Sequence, residues 1–557
     1  MRANFWLLFA ILFFAAILLG GCLQPKCAEG KTKACTINNC SGTQTCTNGK
    51  WGSCVKADPC CGVDCNVIES NAMYPFGIVD PPSEDYALVQ ELGATNVRIG
   101  VPWQKIQGSD GEFKWEGCGE DKLGQMGITP YFRLRLTEYE RASKCPSCIP
   151  NPDNPSQCVP LPTLNGNEDC PPSDLSETWR ADGKGYSAIL YDFVWEVMRQ
   201  NTECGRASFM VIVGNEVNTF HFWRGTKDQY LRTRATVFKA TRDFNLKYGA
   251  DYKVTDNGIA STIWGRALYK ELYCAGKVEQ AVEFAKRFER YQIDESTINE
   301  QWVDSMTDCD ANNIENPRTQ FLVLKEMFKV DPVLGGPSFD YMDYHFYDPW
   351  DTQEEIINWM KAEMQKNGYS RPIVMTEGGI IRTKPCADGI NSTENFDCPQ
   401  CDIQNFVPDE ADALESADNA VKLNVVAFAN GVEVFLWLPF ESFQFGGGTK
   451  DCNLRPFIAG SEKMPLFKSY QVMASELNGF TSVQRLPLGE NTYKFIVNEK
   501  PVYVLWRNED TAPNSITVNL SAEISGNVTV THVDGSVETV ASSSLQVTES
   551  PIFVEAP

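Results

Sequence analysis

The stretch Phe209-Met-Val-Ile-Val-Gly-Asn-Glu-Val-Asn218 decides how the rest of the chain is interpreted. Its apolar run predicts a buried strand, and the run ends abruptly in the polar side chains of Asn215, Glu216 and Asn218. A second run, Pro372-Ile-Val-Met-Thr-Glu-Gly-Gly379, has the same construction and carries Glu377. The sequence therefore predicts two buried strands that each deliver a carboxylate to their own tip.

Six further apolar runs alternate with segments of helical spacing. They predict strands at residues 74–79, 96–103, 128–135, 252–255, 339–347 and 432–437. Ser83 is expected to cap the helix after the first strand, and Gly93 is expected to end it. Eight strand–helix units predict an α/β fold, a (β/α)8 TIM barrel over residues 69–478.

The predicted barrel brings the two glutamates together. The carboxyl ends of all eight strands meet on one face, so Glu216 and Glu377 are expected to be neighbours although 161 residues separate them in the sequence. Paired carboxylates are what hydrolysis of a glycosidic bond requires. Three long loops that follow strands contain cysteines (136–175, 380–408 and 440–463) and are expected to form the walls or lid of a cleft. The alternative is that they only decorate the surface.

Composition excludes several classes of function. The chain has 557 residues, of which 43% are hydrophobic and 22% charged, as expected of a globular protein with two or three domains. A formal net charge of -24 argues against nucleic-acid binding and makes a strongly acidic polymer a poorer substrate. We expect a monomer with no cofactor and no metal site.

The first residues predict an address outside the cytoplasm. Arg2, the apolar stretch from Phe5 to Leu19 and the following Gly-Gly-Cys22 resemble a lipoprotein signal peptide spanning residues 1–21, which would leave Cys22 as a lipidated N-terminus. The alternative is an uncleaved hydrophobic anchor. Either alternative predicts a membrane-tethered protein on the extracellular face of the cell surface.

The cysteines favour an oxidising compartment. Of 21 cysteines, eight fall between Cys27 and Cys65, in a segment too short to bury a core of its own. Residues 22–68 are therefore interpreted as a small, disulfide-stapled spacer. Zinc is the alternative there and for the set Cys145, Cys148, Cys158 and Cys170, although no histidine stands nearby.

Residues 479–557 change character. Short alternating runs at 492–497, 501–506, 515–520 and 527–531, with a turn at Asp534-Gly535, predict an antiparallel β-sandwich after the barrel. We expect this domain to be structural rather than an independent sugar-binding module.

The strand-tip residues resemble those of the clan A retaining glycoside hydrolases, which include families 5 and 39. The family pattern has an Asn-Glu pair ending strand four, a Glu ending strand seven, an Arg on strand two, a His-x-Tyr on strand six and a Trp on strand eight. Matching residues here are Asn215, Glu216, Glu377, Arg98, His345, Tyr347 and Trp437. Family 5 commonly has a His at the end of strand three, where this chain has Arg133 and Arg135, and Phe222-Trp223 looks more like family 39.

The resemblance implies a role for each residue. Glu216 would be the acid/base and Glu377 the nucleophile, with Arg98 and Tyr347 donating hydrogen bonds to Glu377. Asn215 would bind the sugar 2-hydroxyl, and His345 would contact the acid/base or the sugar.

Aromatic rings stack on sugar faces. Trp437, Trp103 and Trp223 are therefore candidate subsite residues, as are Trp264, Trp350 and His221. The implied partner is an oligo- or polysaccharide. The alternative is a non-catalytic, carbohydrate-binding surface protein on the same barrel.

Overall fold

The computed structural model forms two compact units, Met1–Val67 and Ile68–Pro557. It describes residues 31–37, 40–47, 50–51, 55–56, 67–69, 75–108, 111–114, 122–137, 142–150, 158–160, 168–205, 210–218, 222–256, 258–291, 293–307, 309, 324–380, 410–440, 444–445, 449–450, 455–459, 461–488, 490–508 and 514–557.

The first unit is described only in part. Strand Cys40–Thr47 pairs antiparallel with Thr32–Ile37, Lys50–Trp51 and Val55–Lys56. The predicted signal peptide and Cys22 lie outside the described residues. Among the helices that are described, none combines the length and the apolar character needed to cross a bilayer.

Eight parallel strands form the predicted barrel. They are β1 (Phe76–Val79), β2 (Asn96–Pro102), β3 (Thr129–Arg135), β4 (Met210–Val213), β5 (Lys253–Thr255), β6 (Met342–Phe346), β7 (Ile373–Gly378) and β8 (Val432–Trp437). Their order is β5-β4-β3-β2-β1-β8-β7-β6, and the parallel bridges Thr255–Tyr341 and Ile259–Tyr344 close the ring between β5 and β6. The TIM-barrel prediction is confirmed.

Helices cover the outside of the barrel. They are α1 (Tyr86–Glu91), α2 (Trp103–Ile106), α3 (Lys122–Gln125), α4 (Ala188–Glu203), α5 (Lys227–Tyr248), α6 (Ser261–Cys274), α7 (Val278–Glu289), α8 (Glu300–Met306), α9 (Gln353–Lys366), α10 (Glu410–Ala429) and α11 (Pro465–Leu477). Short 3-10 turns occupy Ser83–Asp85, Glu295–Thr297, Leu324–Phe328 and Trp350–Thr352.

The N-terminal end of α1 differs from the prediction, and its C-terminal end agrees with it. Ser83 lies in the 3-10 turn and donates to Glu84, so it does not cap the α-helix, whose N-cap position is Asp85. Gly93 has φ +78° just beyond the helix and ends it as predicted, because glycine enters the left-handed region without a side-chain penalty.

Alternate residues of the strands face alternate sides. An apolar plug fills the inside of the barrel, formed by Val79, Tyr131, Met210, Ile212, Tyr341, Val374, Val434 and Leu436. The residues between them face outward and pack under the helices in one much larger core. With the lower barrel filled, the polar residues nearer the carboxyl ends of the strands form the upper layer.

The C-terminal region is an antiparallel sandwich, as predicted. Its strands are β9 (Phe480–Arg485), β10 (Asn491–Val497), β11 (Lys500–Trp506), β12 (Ile516–Val518), β13 (Asn527–His532), β14 (Val537–Ala541), β15 (Leu545–Val547) and β16 (Ile552–Glu555). Among these strands, those of the larger sheet follow one another in the order β14-β13-β16-β11-β10-β9, and β12 pairs with β15. One face of the larger sheet belongs to the core of the barrel. There the ring of Phe480 is tilted against that of Phe428, with centroids 5.3 Å apart, and Trp506 meets Trp350 edge-on, with centroids 5.4 Å apart.

Disulfides brace the connections that follow two of the barrel strands. Cys145 bonds Cys170 in the connection after β3, and Cys274 bonds Cys309 in the connection after β5. The preference for disulfides over zinc is confirmed for Cys145 and Cys170. Much of the predicted cysteine loops, including residues 381–409, lies outside the described part of the chain.

Candidate active site

A tight turn places Glu216 at the mouth of the barrel. Strand β4 ends at Val213, Gly214 has φ +83° and Glu216 itself has φ +38°. A glutamate in the left-handed region costs about 1–2 kcal/mol, so the surrounding structure must hold it there. The backbone N–H of Glu216 donates to the carbonyl of Gly258 at 3.0 Å, which anchors the turn to the loop after β5.

Both carboxylate oxygens of Glu377 have a donor. Arg98 Nη2 lies 2.7 Å from Oε2, and the Tyr347 hydroxyl donates to Oε1 at 2.6 Å. These are contacts that the sequence led us to expect. Together they fix the carboxylate in one orientation at the end of β7.

The surroundings of Glu377 favour its ionised form. Burial alone would raise its pKa, but His345, Arg98 and the Tyr347 hydroxyl more than offset burial and lower the pKa to about 2. Burial and the neighbouring Glu377 raise the pKa of Tyr347, which therefore remains a proton donor. Glu377 is an anion at any ordinary pH.

Arg98 connects the residues of three strands. Besides Glu377, its guanidinium contacts Asp80 Oδ2 at 3.3 Å and donates to Asn215 Oδ1 at 3.2 Å. Burial would lower the pKa of Arg98, but Glu377 and Asp80 outweigh burial and raise it. The sequence reasoning missed Asp80, although it follows β1 directly and so has the strand-tip position that identified the glutamates.

His345 lies between the two glutamates. Its Nδ1 is 2.9 Å from Glu216 Oε1 and 3.6 Å from Glu377 Oε1. Burial lowers the pKa of His345, but Glu377 and Glu216 raise it by more, and the net direction is upward. The fully buried ring packs against Gly258, where a Cβ atom would come within 2.1 Å of Nε2. Gly258 has φ +59°, so the position needs glycine for two reasons.

The two carboxylates are close enough to act on one bond. Ligand atoms of Glu216, His345 and Glu377 all lie within 4.8 Å of one another. Retaining glycosidases hold their carboxyl groups about 5–5.5 Å apart, whereas inverting ones need roughly 6.5–9.5 Å. Among the described residues this is also the set that could converge on a metal ion, but any metal would have to share Glu377 with Arg98 and Tyr347.

Trp437, Trp103 and Trp223 are placed elsewhere. In β8 the inward residues are Leu436 and, beyond the strand, Leu438, so alternation turns Trp437 outward, where it is fully buried against the Phe435 and Phe457 rings. The sequence pattern identified where β8 ends but not which face of the sheet Trp437 lies on.

The other two rings are held by local contacts in the same outer core. Trp103 stacks on Phe193 at 4.8 Å, and Trp223 donates its indole N–H to the carbonyl of Thr226 at 3.2 Å. Trp264 is fully buried as well. Trp350 borders a small cavity that Tyr347 also lines, and His221 lies outside the described residues.

The three-dimensional structure of this chain is similar to several solved structures. No protein family model and no curated protein matches the sequence. A family 39 glycoside hydrolase from the gut symbiont Bacteroides cellulosilyticus aligns with a TM-score of 0.49 and 12% identity, over 95% of this chain and 89% of that one.

Two further solved structures are similar at the same level. A glucosidase from Croceicoccus marinus has a TM-score of 0.47 and 11% identity, over 88% of this chain and 96% of that one. A GH30 xylanase C catalytic domain from Talaromyces cellulolyticus has a TM-score of 0.43 and 10% identity, over 88% of this chain and 98% of that one. At these identities the likeness concerns the fold, which the strand order and register above establish for this chain.

Proposed function

We propose that this chain is a retaining O-glycoside hydrolase acting on an oligo- or polysaccharide, with Glu216 as acid/base and Glu377 as nucleophile. The observation that carries the proposal is the pair of strand-tip carboxylates within 4.8 Å of each other, one of which is held ionised. Two carboxylates at this separation, in unlike surroundings, are what double displacement requires.

In the first step Glu377 attacks the anomeric carbon while the bond from that carbon to the glycosidic oxygen breaks. Glu216 gives its proton to the departing oxygen, and a covalent glycosyl–Glu377 ester remains. Arg98 and Tyr347 aim the attacking carboxylate, and their hydrogen bonds weaken as its charge moves into the new bond. From the family resemblance we assign Asn215, whose Oδ1 accepts from Arg98 at 3.2 Å, the role of binding the sugar 2-hydroxyl.

In the second step a water molecule attacks the anomeric carbon from the side that the leaving group vacated. Glu216 now accepts the proton of that water, and the ester bond to Glu377 breaks, so the product keeps its original anomeric configuration. The hydrogen bond between His345 Nδ1 and Glu216 Oε1, at 2.9 Å, would hold the Glu216 carboxyl group in one orientation through both proton transfers.

Hydrolysis of a panel of aryl glycosides and polysaccharides by the purified full chain tests the proposal. Wild type should cleave at least one substrate, Glu377→Ala should lose roughly 10⁴-fold or more in kcat, and NMR of the first product should find the substrate's own anomer. An early product of inverted configuration would exclude double displacement.

The same panel separates the enzyme from a carbohydrate-binding protein on this barrel. If wild type and Glu377→Ala are equally inert while both bind glycans, the binding function holds instead. Glu216→Ala adds a check that is specific to the acid/base: azide should restore its turnover of substrates with good leaving groups, because azide attacks the glycosyl ester without needing a base.

We further propose that the enzyme works outside the cytoplasm, tethered through the N-terminal segment. Support comes from the signal-like residues 1–21, Cys22 and the disulfides Cys145–Cys170 and Cys274–Cys309, since disulfides persist in oxidising compartments. Mass spectrometry of the mature N-terminus tests the tether. A diacylated or triacylated Cys22 is expected, an intact Met1 without lipid would indicate the uncleaved hydrophobic anchor instead, and an unlipidated N-terminus at or beyond Cys22 would contradict the tether.

A further inference from the structure

Arg133 is a buried cation on strand β3, inside the barrel. It lies on β3 between Gly100 of β2 and Ile212 of β4. Tyr131, two residues earlier, and Ile212 both belong to the plug inside the barrel, and alternate strand residues share a face. Arg133 therefore points into the barrel, above Tyr131 and nearer to the carboxyl ends of the strands.

No hydrogen bond or ion pair joins Arg133 to any residue that the structure describes. Its side chain is nevertheless buried, with 8% of its surface exposed, and its Nε has no partner. Arg98, in contrast, is paired with Glu377 and Asp80. Leaving a buried charge unpaired is costly, so an unpaired guanidinium in a cleft signals a partner that arrives with the ligand.

The nearest acid does not neutralise Arg133. Asp169 is close enough to influence it electrostatically but forms no ion pair with it, and Asp169 Oδ1 is occupied by the backbone N–H of Leu136 at 2.6 Å. Burial raises the pKa of Asp169 to about 6, although Arg133 opposes the shift. Burial and Arg98 lower the pKa of Arg133, while Asp169 and Asp80 raise it, and the net direction is downward.

Arg133 also acts on the nucleophile. It is one of the cations that lower the pKa of Glu377, so the two groups share one cleft. A guanidinium offers five N–H donors in a planar fork, which matches a carboxylate or a sulfate better than it matches a hydroxyl.

We infer that Arg133 binds an anionic group of the substrate, so that the sugar cleaved carries a carboxylate, as in a uronic acid, or a sulfate ester. The inference rests on the proposed glycosidase function and specifies its substrate class. The net charge of -24 does not oppose it, because charges farther than about 8 Å are screened at physiological ionic strength, whereas Arg133 would touch the anion.

Matched aryl glycosides test the inference. Each pair differs only at C6 (glucoside with glucuronide, galactoside with galacturonide), and a third member of each set carries a 6-sulfate. Wild type should cleave the acidic member of at least one set with at least a roughly tenfold higher kcat/KM, and whether the carboxylate or the sulfate is preferred identifies the anion. Arg133→Gln should lower the ratio of acidic to neutral kcat/KM roughly 100-fold.

Two variants control for charge and for folding. Arg133→Lys keeps the charge but loses the fork, so its ratio should fall less than that of Arg133→Gln. Arg199→Gln removes one positive charge from the partly exposed surface of α4, and its ratio should equal that of wild type. Circular dichroism and the melting temperature establish that each variant is folded.

Binding gives a readout that does not depend on turnover. Saturation-transfer NMR with glucuronate, galacturonate, glucose 6-sulfate, glucose and galactose should show an acidic sugar bound more tightly than its neutral counterpart by wild type, and equally weakly by Arg133→Gln. If neutral glycosides are cleaved and no acidic sugar is preferred, the inference is overturned and the glycosidase function stands. If no glycoside is cleaved but acidic sugars bind through Arg133, the glycosidase function fails and the anion site stands.

Discussion

At the scale of single residues, the site depends on how two similar carboxylates are held differently. Glu377 is buried and receives donors on both oxygens, whereas Glu216 sits in a left-handed turn with His345 beside it. The sequence singled out six of the polar residues that converge here, Glu216, Glu377, Arg98, Asn215, His345 and Tyr347, but not Asp80.

Tyr347 contributes, together with His345 and Arg98, to the low pKa of Glu377 and so to the acid limit of activity. Because the folded-state pKa of Glu377 is about 2, kcat/KM should not decline between pH 6 and pH 4 through loss of this nucleophile. Tyr347→Phe removes one donor to the anion, so the acid limb should move to higher pH and kcat should fall roughly tenfold or more. Tyr191→Phe, whose hydroxyl donates to Asp243 on the outside of the barrel, is the matched control.

The lowered pKa of Glu377 also affects the stability of the fold. A carboxyl group whose pKa is depressed in the folded state contributes stability above its unfolded pKa of about 4.3, and that contribution disappears as pH falls toward 2. The decline of kcat/KM at low pH is therefore interpreted only at pH values where circular dichroism shows that the protein is folded. An unchanged limb in Tyr347→Phe would mean that this hydroxyl does not stabilise the anion.

Gly258 keeps His345 in place. Gly258→Ala should destabilise the fold by about 2–4 kcal/mol and lower kcat roughly tenfold or more, because the added Cβ strains the backbone and displaces the imidazole. Gly276→Ala is matched to it, since Gly276 has φ +75° with open space around its Cβ position. Urea unfolding and kinetics of both variants separate backbone strain from the displacement of His345. Equal effects in the two would contradict the role given to Gly258.

At the scale of elements, strand tips carry most of what the sequence could predict. The apolar runs and their ends identified all eight barrel strands, because burial on both faces gives continuous hydrophobic runs that polar tips interrupt. The facing of Trp437 could not be predicted, since a shift of one residue turns a side chain to the opposite face. Gly258 gave no signal, because its role comes from contact with His345 on a distant element, whereas Asp80 had the strand-tip signal and was overlooked.

A buried carboxyl joins β6 to β7. The hydroxyl and backbone N–H of Thr376 donate to Asp343 at 2.5 and 3.0 Å. Burial raises the pKa of Asp343 to about 7, although His345 and Thr376 oppose the shift.

Stability should therefore depend on Asp343 near neutral pH. In the unfolded chain Asp343 ionises near pH 4, so its contribution is present below that pH and is lost as pH rises through 7. Unfolding free energies measured from pH 4.5 to 8 should decline by a few kcal/mol in wild type and less in Asp343→Asn. Asp192→Asn removes an exposed carboxylate and should keep the wild-type slope. A slope in Asp343→Asn as steep as in wild type would contradict the assignment.

At the scale of the whole second unit, the barrel and the sandwich share one hydrophobic core. Trp506 of β11 is fully buried, stacks on Tyr493 at 5.1 Å and meets Trp350 next to the cavity that Tyr347 lines. The sequence predicted the sandwich from its alternating strands but could not predict this shared core, because its contacts, such as that of Trp350 with Trp506, join residues that are distant in the sequence.

The shared core predicts a single unfolding unit. Trp506→Ala should destabilise barrel and sandwich together by about 3–5 kcal/mol, with one calorimetric transition at lower temperature. Leu520→Ala, in the separate core between the two sheets of the sandwich, should shift the same transition. Two transitions, of which only one moves in Trp506→Ala, would mean that the sandwich unfolds independently.

The account depends most on Glu377 as the nucleophile, and trapping the glycosyl-enzyme tests this directly. Activated 2-fluoro glycosides should label the full chain once, and tryptic digestion should place the label on the peptide of residues 367–382. That peptide contains Glu377 and no other carboxylate side chain, so the mass shift alone locates the bond. A label on any other peptide, or turnover with no covalent intermediate and an inverted product, would contradict the account.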